Sequence, residues 1–197
     1  MNKEKFIEIY TTYIKRDGSR MLLEWLESTD FFTAPASTRF HGDHEGGLCE
    51  HSINVFEELV RLLKAYPEIK VSGETAAIVT LLHDLCKIGC YKVELRNKKV
   101  NNVWVKEPVW VFNEDFCYGG HGSKSVFLVQ KFMDLSEEEA VAINCHMGFS
   151  DRSPGDYSLG NAYDQYPLAW LVHVADESAT VIRESKKNNH TYKYEYK

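Results

Sequence analysis

One segment constrains the fold more than any other: the run ETAAIVTLLHDLCK, residues 74–87, is apolar on nearly every side of a helix. Such a helix must be surrounded by other parts of the chain, so the run predicts a buried, central helix. The run also contains His83 and Asp84, and burying such groups costs free energy unless a partner compensates them. The segment therefore predicts a core helix with a polar end that needs a partner.

Amphipathic helices are predicted for most of the remaining chain. Apolar residues recur at helical spacing in residues 3–16, 21–26, 48–62, 122–133, 136–148 and 166–185. Ser136 and Glu139 predict a capping box, and Pro167 suits the first turn of the last helix. Residues 91–112 alternate polar and apolar positions, which predicts a small β-hairpin, and residues 150–161 are predicted to be a loop. The expected fold class is mainly α.

The length of 197 residues is sufficient for one domain with a sizeable core, and the sequence shows no internal repeat. We expect N-terminal helices in residues 1–37, a core in 38–185 that includes the hairpin, and a polar tail in 186–197. The net charge of −6 argues against a basic nucleic-acid-binding surface, so no stable nucleic-acid complex is expected. It does not exclude an anionic substrate, because a bound metal ion can reverse the local field.

Cysteine usage and hydropathy indicate the compartment. The five cysteines are odd in number and form no C-x-x-C motif, which favours reduced thiols over a disulfide framework or a cysteine-type zinc site. The N-terminal MNKEKFIEIY has no signal-peptide core, and no apolar run approaches membrane-spanning length. We therefore expect a cytoplasmic protein without membrane contact.

Metal-capable side chains lie on the apolar faces of three separate predicted helices. His51 shares a stripe with Leu48 and Val55, His83 and Asp84 end the central helix, and Asp176 lies in the stripe of the last helix. Each residue alone could be a buried group satisfied by a neighbouring helix. Three such faces in one small protein point to a shared divalent cation, which would satisfy all of them.

The segments around these residues resemble known motifs. GGLCEHSINV, LLHDLCKIG and LVHVADESAT are similar to the motifs of the HD-domain superfamily of metal-dependent phosphohydrolases, over residues 38–182. The resemblance implies an all-α HD-domain bundle in which one metal ion is bound by residues of the H…HD…D pattern. In this sequence those residues are His51, His83, Asp84 and Asp176.

Two further histidines match the two-metal branch of that superfamily. His121 in GGHGSKSV and His146 in AINCHMG lie where the resemblance implies ligands of a second ion, with Asp84 bridging the pair. Without the resemblance, His121 would be a polar loop residue and His146 a helix cap. Two ions about 3.5–4 Å apart would hold an attacking hydroxide and polarise a phosphoryl oxygen. Imidazole and carboxylate ligands suit Fe, Mn, Co, Ni or Zn.

The implied function is a metal-dependent phosphohydrolase or phosphodiesterase that acts on a small phosphorylated substrate, a nucleotide or an oligonucleotide. Asp84 is its expected catalytic centre, and Lys87 would hold a substrate phosphate or stabilise developing charge; its alternative is a solvated cation at a helix end. Arg39, His41 and Arg152 are candidate substrate contacts. The aromatic residues of the hairpin could stack on a base or simply pack across strands.

Two other functions remain open at this stage. The same ligand set occurs in HD-fold di-iron oxygenases, and a non-catalytic, metal-binding regulatory module would also retain it. The lysine after the HD pair, Lys87, favours hydrolysis over oxygenation. The sequence does not indicate the oligomeric state.

Overall fold

Helices make up most of the structure, with one β-hairpin inserted between them. The structure is a computed structural model, and it describes residues 2–38, 41–113, 119–151, 153 and 155–184. The helices in this part of the chain are α1 Asn2–Tyr13, α2 Ser19–Glu27, α3 Gly47–Ala65, α4 Gly73–Leu81, α5 His121–Gln130, α6 Glu137–Cys145, α7 Ser158–Gln165 and α8 Pro167–Ser178. The strands are β1 Tyr91–Val100 and β2 Val103–Phe112. This architecture confirms the mainly α class with a hairpin.

The apolar run around Val79 is the centre of the bundle. Helix α4 packs against α1, α3 and α6, and its residues 76–81 are all buried. Ser72 begins the helix, since its hydroxyl accepts a hydrogen bond from the backbone N–H of Thr75 at 2.9 Å. Helix α8 packs against α3, α6 and α7. The expectation of a buried central helix is confirmed.

The central helix is shorter than the sequence predicts. It ends at Leu81, and a separate 3-10 turn, Leu85–Lys87, follows it. His83 and Asp84 therefore lie in the connection between the helix and the turn. The reason is local: Nδ1 of His83 lies 2.6 Å from the carbonyl oxygen of Thr80 and satisfies a group that the helix end leaves free.

The β-hairpin is formed by the predicted residues. Strands β1 and β2 are antiparallel, and they pair from Tyr91 with Phe112 to Val100 with Val103. The two-residue turn consists of Asn101 and Asn102, whose φ angles are 49° and 65°. Asparagine tolerates this left-handed conformation, which a two-residue hairpin turn requires at both positions.

Two stretches differ from the predictions. Residues 150–161 were expected to form a loop, but α7 begins inside them at Ser158. Gly160 and Asn161 are poor helix formers, so the sequence does not predict this helix. Burial of Leu159 against the core stabilises it. The last helix also changes its winding, because a π-helical turn, Ala179–Arg183, continues α8.

The described cysteines, Cys49, Cys86, Cys90 and Cys145, are buried, and within the described residues they form no disulfide. Cys117 lies outside the described residues. Within the same part of the chain, none of the helices combines the length and the apolar character that crossing a membrane requires.

Candidate metal centre

Three elements bring the four predicted first-ion ligands together. His51 comes from α3, His83 and Asp84 from the turn after α4, and Asp176 from α8. Nε2 of His51 lies 3.1 Å from Oδ1 of Asp176 and 3.6 Å from Oδ2 of Asp84. The same atom lies 3.3 Å from Nε2 of His83. Ligand atoms of His51, His83 and Asp84 all lie within 4.8 Å of one another, close enough to share one ion.

Two of the site histidines are oriented by the ends of the helices that precede them. Nδ1 of His83 is 2.6 Å from the carbonyl oxygen of Thr80, and Nδ1 of His146 is 2.7 Å from that of Ile143. A carbonyl oxygen only accepts hydrogen bonds, so Nδ1 carries a proton in both rings, and in the neutral form of each ring Nε2 is the lone-pair nitrogen. The ends of α4 and α6 thus set the tautomer that a metal ligand needs.

His51 is oriented by a carboxylate that the sequence analysis did not identify. Its Nδ1 lies 3.1 Å from both carboxylate oxygens of Glu184, which also accepts a hydrogen bond from Asn54 at 2.9 Å. Glu184 follows the π-helical turn, eight residues after Asp176. In the sequence, the available signal for Glu184 was its position about two turns after the candidate ligand Asp176. This contact directs Nε2 of His51 towards Asp84 and Asp176.

The three Nε2 atoms converge on two carboxylates. Nε2 of His146 lies 3.5 Å from Oδ1 of Asp84, and this buried nitrogen has no hydrogen-bond partner within the described part of the chain. Helices α4 and α6 both end here, so the negative ends of their dipoles face the cluster. Lone pairs, carboxylates and helix C-termini all favour a cation. The donor set of imidazole and carboxylate therefore fits a divalent transition metal.

The pKa values in the cluster show the same preference for positive charge. Burial opposes a charge on His51, but hydrogen bonds with Asp176 and Glu184 outweigh it and raise the pKa of His51 to about 10. Burial likewise disfavours the carboxylate of Asp84, yet Lys87 and His83 hold its pKa well below the ordinary range. Positive charge beside these carboxylates, whether from a proton or from a metal ion, is strongly favoured.

Lys87 is largely buried rather than solvated. Its Nζ lies 2.6 Å from Oδ2 of Asp84, and its side chain is 11% exposed. Lys87 therefore contacts the carboxylate that the resemblance assigns as the bridge between two ions. The two carboxylate oxygens of Asp84 face different sides of the site. Oδ2 faces Lys87 and His51, and Oδ1 faces His146.

His121 lies at the start of α5, on the side of Asp84 that Cys86 occupies. Ligand atoms of His121, Asp84 and Cys86 lie within 4.8 Å of one another. Gly122 permits this position, since a Cβ there would come within 2.3 Å of the carbonyl oxygen of Asn144 on α6. The candidate second-ion residues do not form one group: His121 lies with Asp84 and Cys86, and His146 lies with His83 and Asp176.

The candidate substrate contacts are only partly described. Arg39 and Arg152 lie outside the described residues. The ring of His41 lies 5.0 Å from that of His51, centroid to centroid. Burial and the nearby charges of His51 and Lys87 lower the pKa of His41 to about 4, which keeps this imidazole neutral beside the cluster. On the hairpin, Trp104 is 67% exposed.

His173 supports the site from α8. Its Nδ1 donates a hydrogen bond of 2.7 Å to the carbonyl oxygen of His146. Gly148 makes room for this ring, because a Cβ at that position, where φ is +60°, would come within 2.5 Å of the imidazole. The backbone of His146 is thereby fixed as well as its side chain.

Comparison with models of known families, with curated proteins and with solved structures finds no match for this chain. Support for a function therefore comes from the residues and their geometry.

Proposed function

We propose that the protein is an HD-domain, metal-dependent hydrolase of phosphoester bonds in a nucleotide-like substrate. The observation that carries the proposal is the convergence of three buried Nε2 atoms, from His51, His83 and His146, on the carboxylates of Asp84 and Asp176. Each imidazole is held through Nδ1 by a separate acceptor. Such outer contacts orient ligands before a metal arrives.

His51, His83, Asp84 and Asp176 are the residues that would hold the first ion, and His121 and His146 would complete a second site around Asp84. Divalent ions bound there would lower the pKa of a water molecule and polarise a phosphoryl oxygen. Glu184 keeps His51 directed inward, and the helix ends do the same for His83 and His146. Lys87 supplies a buried positive charge beside Asp84 for an anionic substrate.

The test combines metal analysis with a substrate panel. The full chain, purified without oxygen, is assayed for bound metals, for phosphate or nitrophenol release from nitrophenyl esters and nucleotides, and for oxygen consumption. We expect bound transition metal and hydrolysis without oxygen uptake. Oxygen consumption without phosphoester hydrolysis would instead support the oxygenase. Bound metal with neither reaction would support a regulatory module.

Asp84→Asn tests the central residue. It should lose bound metal and lower hydrolysis by about a hundredfold or more, since even the partners that only orient metal ligands are worth roughly 10- to 100-fold. Asp164→Asn, at an exposed position on α7, is the matched control and should retain both properties. Wild-type metal content and rate in a folded Asp84→Asn protein would refute the proposed site.

His146→Ala tests the second ion separately. Saturated wild-type protein should hold close to two ions per chain, and the variant should hold close to one. A wild-type protein that binds a single ion under saturating metal would return His146 to the role of a helix cap.

A further inference from the structure

A pocket of about 200 Å³ lies directly beside the candidate metal centre. It is bounded by the 3-10 turn after α4, by the ends of the hairpin and by the first turn of α5. The lining side chains that the argument uses are Lys87, Tyr91, Phe112, His121 and Lys124. Cys86 and His121 belong both to this pocket and to the group around Asp84, so a bound molecule would lie against the second-ion side of the centre.

Two buried lysines give the pocket its charge. Lys124 lies three residues after His121 on α5 and is only 7% exposed, with its Nζ 3.5 Å from Sγ of Cys90. Lys87 lines the same pocket from the 3-10 turn. Ammonium groups are rarely buried to this extent, and a pocket lined by two of them favours an anionic occupant.

The first turn of α5 adds to this preference. Gly119 and Gly120 line the pocket, and the N-cap residue Gly120 has no side chain that could accept a hydrogen bond from the first turn. The N-terminal backbone N–H groups and the positive end of the helix dipole favour an anion at such a position. The 3-10 turn is held against this helix, because the N–H of Cys86 donates a hydrogen bond of 3.0 Å to Oγ of Ser125.

We propose that this pocket binds the phosphate group of a phosphomonoester, with Lys124 and Lys87 as its cationic contacts. The inference rests on the proposed phosphohydrolase function and specifies its substrate class. A phosphomonoester carries about −1.5 to −2 charges near neutral pH, and inorganic phosphate carries between one and two, whereas a phosphodiester carries only one. Because Lys87 is already paired with Asp84 at 2.6 Å, Lys124 supplies the additional positive charge in the pocket that favours the dianion. Lys124 is therefore the substrate-binding residue that determines this preference.

The test measures binding and selectivity together on the metal-loaded full chain. Inorganic phosphate is titrated by calorimetry, and kcat/KM is measured for p-nitrophenyl phosphate and for bis(p-nitrophenyl) phosphate. Lys124→Met should weaken phosphate binding by about tenfold or more and lower monoester turnover by a similar factor, as expected for losing a charged hydrogen-bond donor. Diester turnover and metal content should change by less than about threefold. Lys131→Met, at an exposed position just after α5, is the control.

Each result separates the pocket from the proposed function. Unchanged phosphate affinity, or equal losses for both esters, would overturn the role of Lys124 while hydrolysis itself stands. A wild-type preference for the diester would likewise overturn the monoester pocket alone. Failure of the wild type to hydrolyse any phosphoester would overturn both. If Lys124→Met does not fold, Lys124→Gln and the wild-type preference between the two esters decide the question.

Discussion

The two ends of α6 both bury charged groups, but they compensate them in different ways. At the start of the helix, Glu139 is 1% exposed and Arg16 holds both of its carboxylate oxygens, with N···O distances of 2.7 and 2.8 Å. At the other end, His146 faces Asp84 at 3.5 Å, without a hydrogen bond to its Nε2 from any described residue. One end is complete within the protein, whereas the other has the donors that a cation requires.

The difference separates stability from binding. A buried ion pair whose hydrogen bonds are already made has no free groups to bind a ligand. Removal of one partner leaves the other charge uncompensated. A cluster of lone pairs and carboxylates is costly by itself, and binding a cation converts that cost into affinity. Substitutions at the Arg16 end should therefore affect folding, and substitutions at the His146 end should affect metal binding.

The largest effect on stability should come from Arg16→Met, which leaves Glu139 buried without its cation. We expect the free energy of unfolding to fall by about 3 kcal/mol, measured by urea denaturation. Arg20→Met is the control, because Arg20 is exposed and its ion pair with Glu24 lies on the surface. The folded Arg16→Met variant should bind as much metal as the wild type. A loss of metal in this variant would show that the two ends of α6 are not independent.

Metal binding at the opposite end of α6 should raise the free energy of unfolding by a comparable amount. At about 100 times its dissociation constant, a metal ion that binds only the folded chain adds roughly 2.7 kcal/mol to the free energy of unfolding. A chelator should reverse this gain, which thermal unfolding with and without metal would detect. Arg16→Met should retain the gain and Asp84→Asn should lose it. An equal gain in Asp84→Asn would place the bound ion elsewhere.

Removal of the capping box at the start of α6 should reduce stability by a smaller amount. Oγ of Ser136 accepts a hydrogen bond from the N–H of Glu139, and Glu139 accepts one from the N–H of Ser136 at 2.9 Å. Ser136→Ala should lower the free energy of unfolding by about 1 kcal/mol. Ser153→Ala, at an exposed loop position, should have no measurable effect, and neither change should alter metal content. A lower metal stoichiometry in Ser136→Ala would contradict the separation.

The sequence predicts the local features at both ends of α6 and misses the partners contributed by distant segments. The capping box is confirmed because it depends on two residues within one turn. Arg16 is 123 residues from Glu139, and no periodicity connects them. At the site, the candidate ligands could be predicted from motifs, whereas Glu184 and Lys124 are brought there by a π-helical turn and by the packing of α5. Residue spacing along one helix does not reveal contacts that tertiary structure creates.

The smallest of these effects should be the pH dependence of the stability that Glu139 contributes at the Arg16 end. Burial raises the pKa of Glu139, but hydrogen bonds from Arg16 and from the N–H of Ser136 outweigh it, so its pKa is lowered overall. Above the pKa of the unfolded chain, about 4.3, this difference stabilises the folded state in full. As the pH falls through the lower pKa of the folded state, the carboxyl is protonated in both states and the contribution disappears. The stability difference between the wild type and Glu139→Gln should therefore shrink as the pH falls below about 4.3, measured by urea denaturation. Glu24→Gln, at an exposed position, is the control and should show no such trend. A pH-independent difference for Glu139→Gln would mean that the contribution of Glu139 to stability does not depend on its charge.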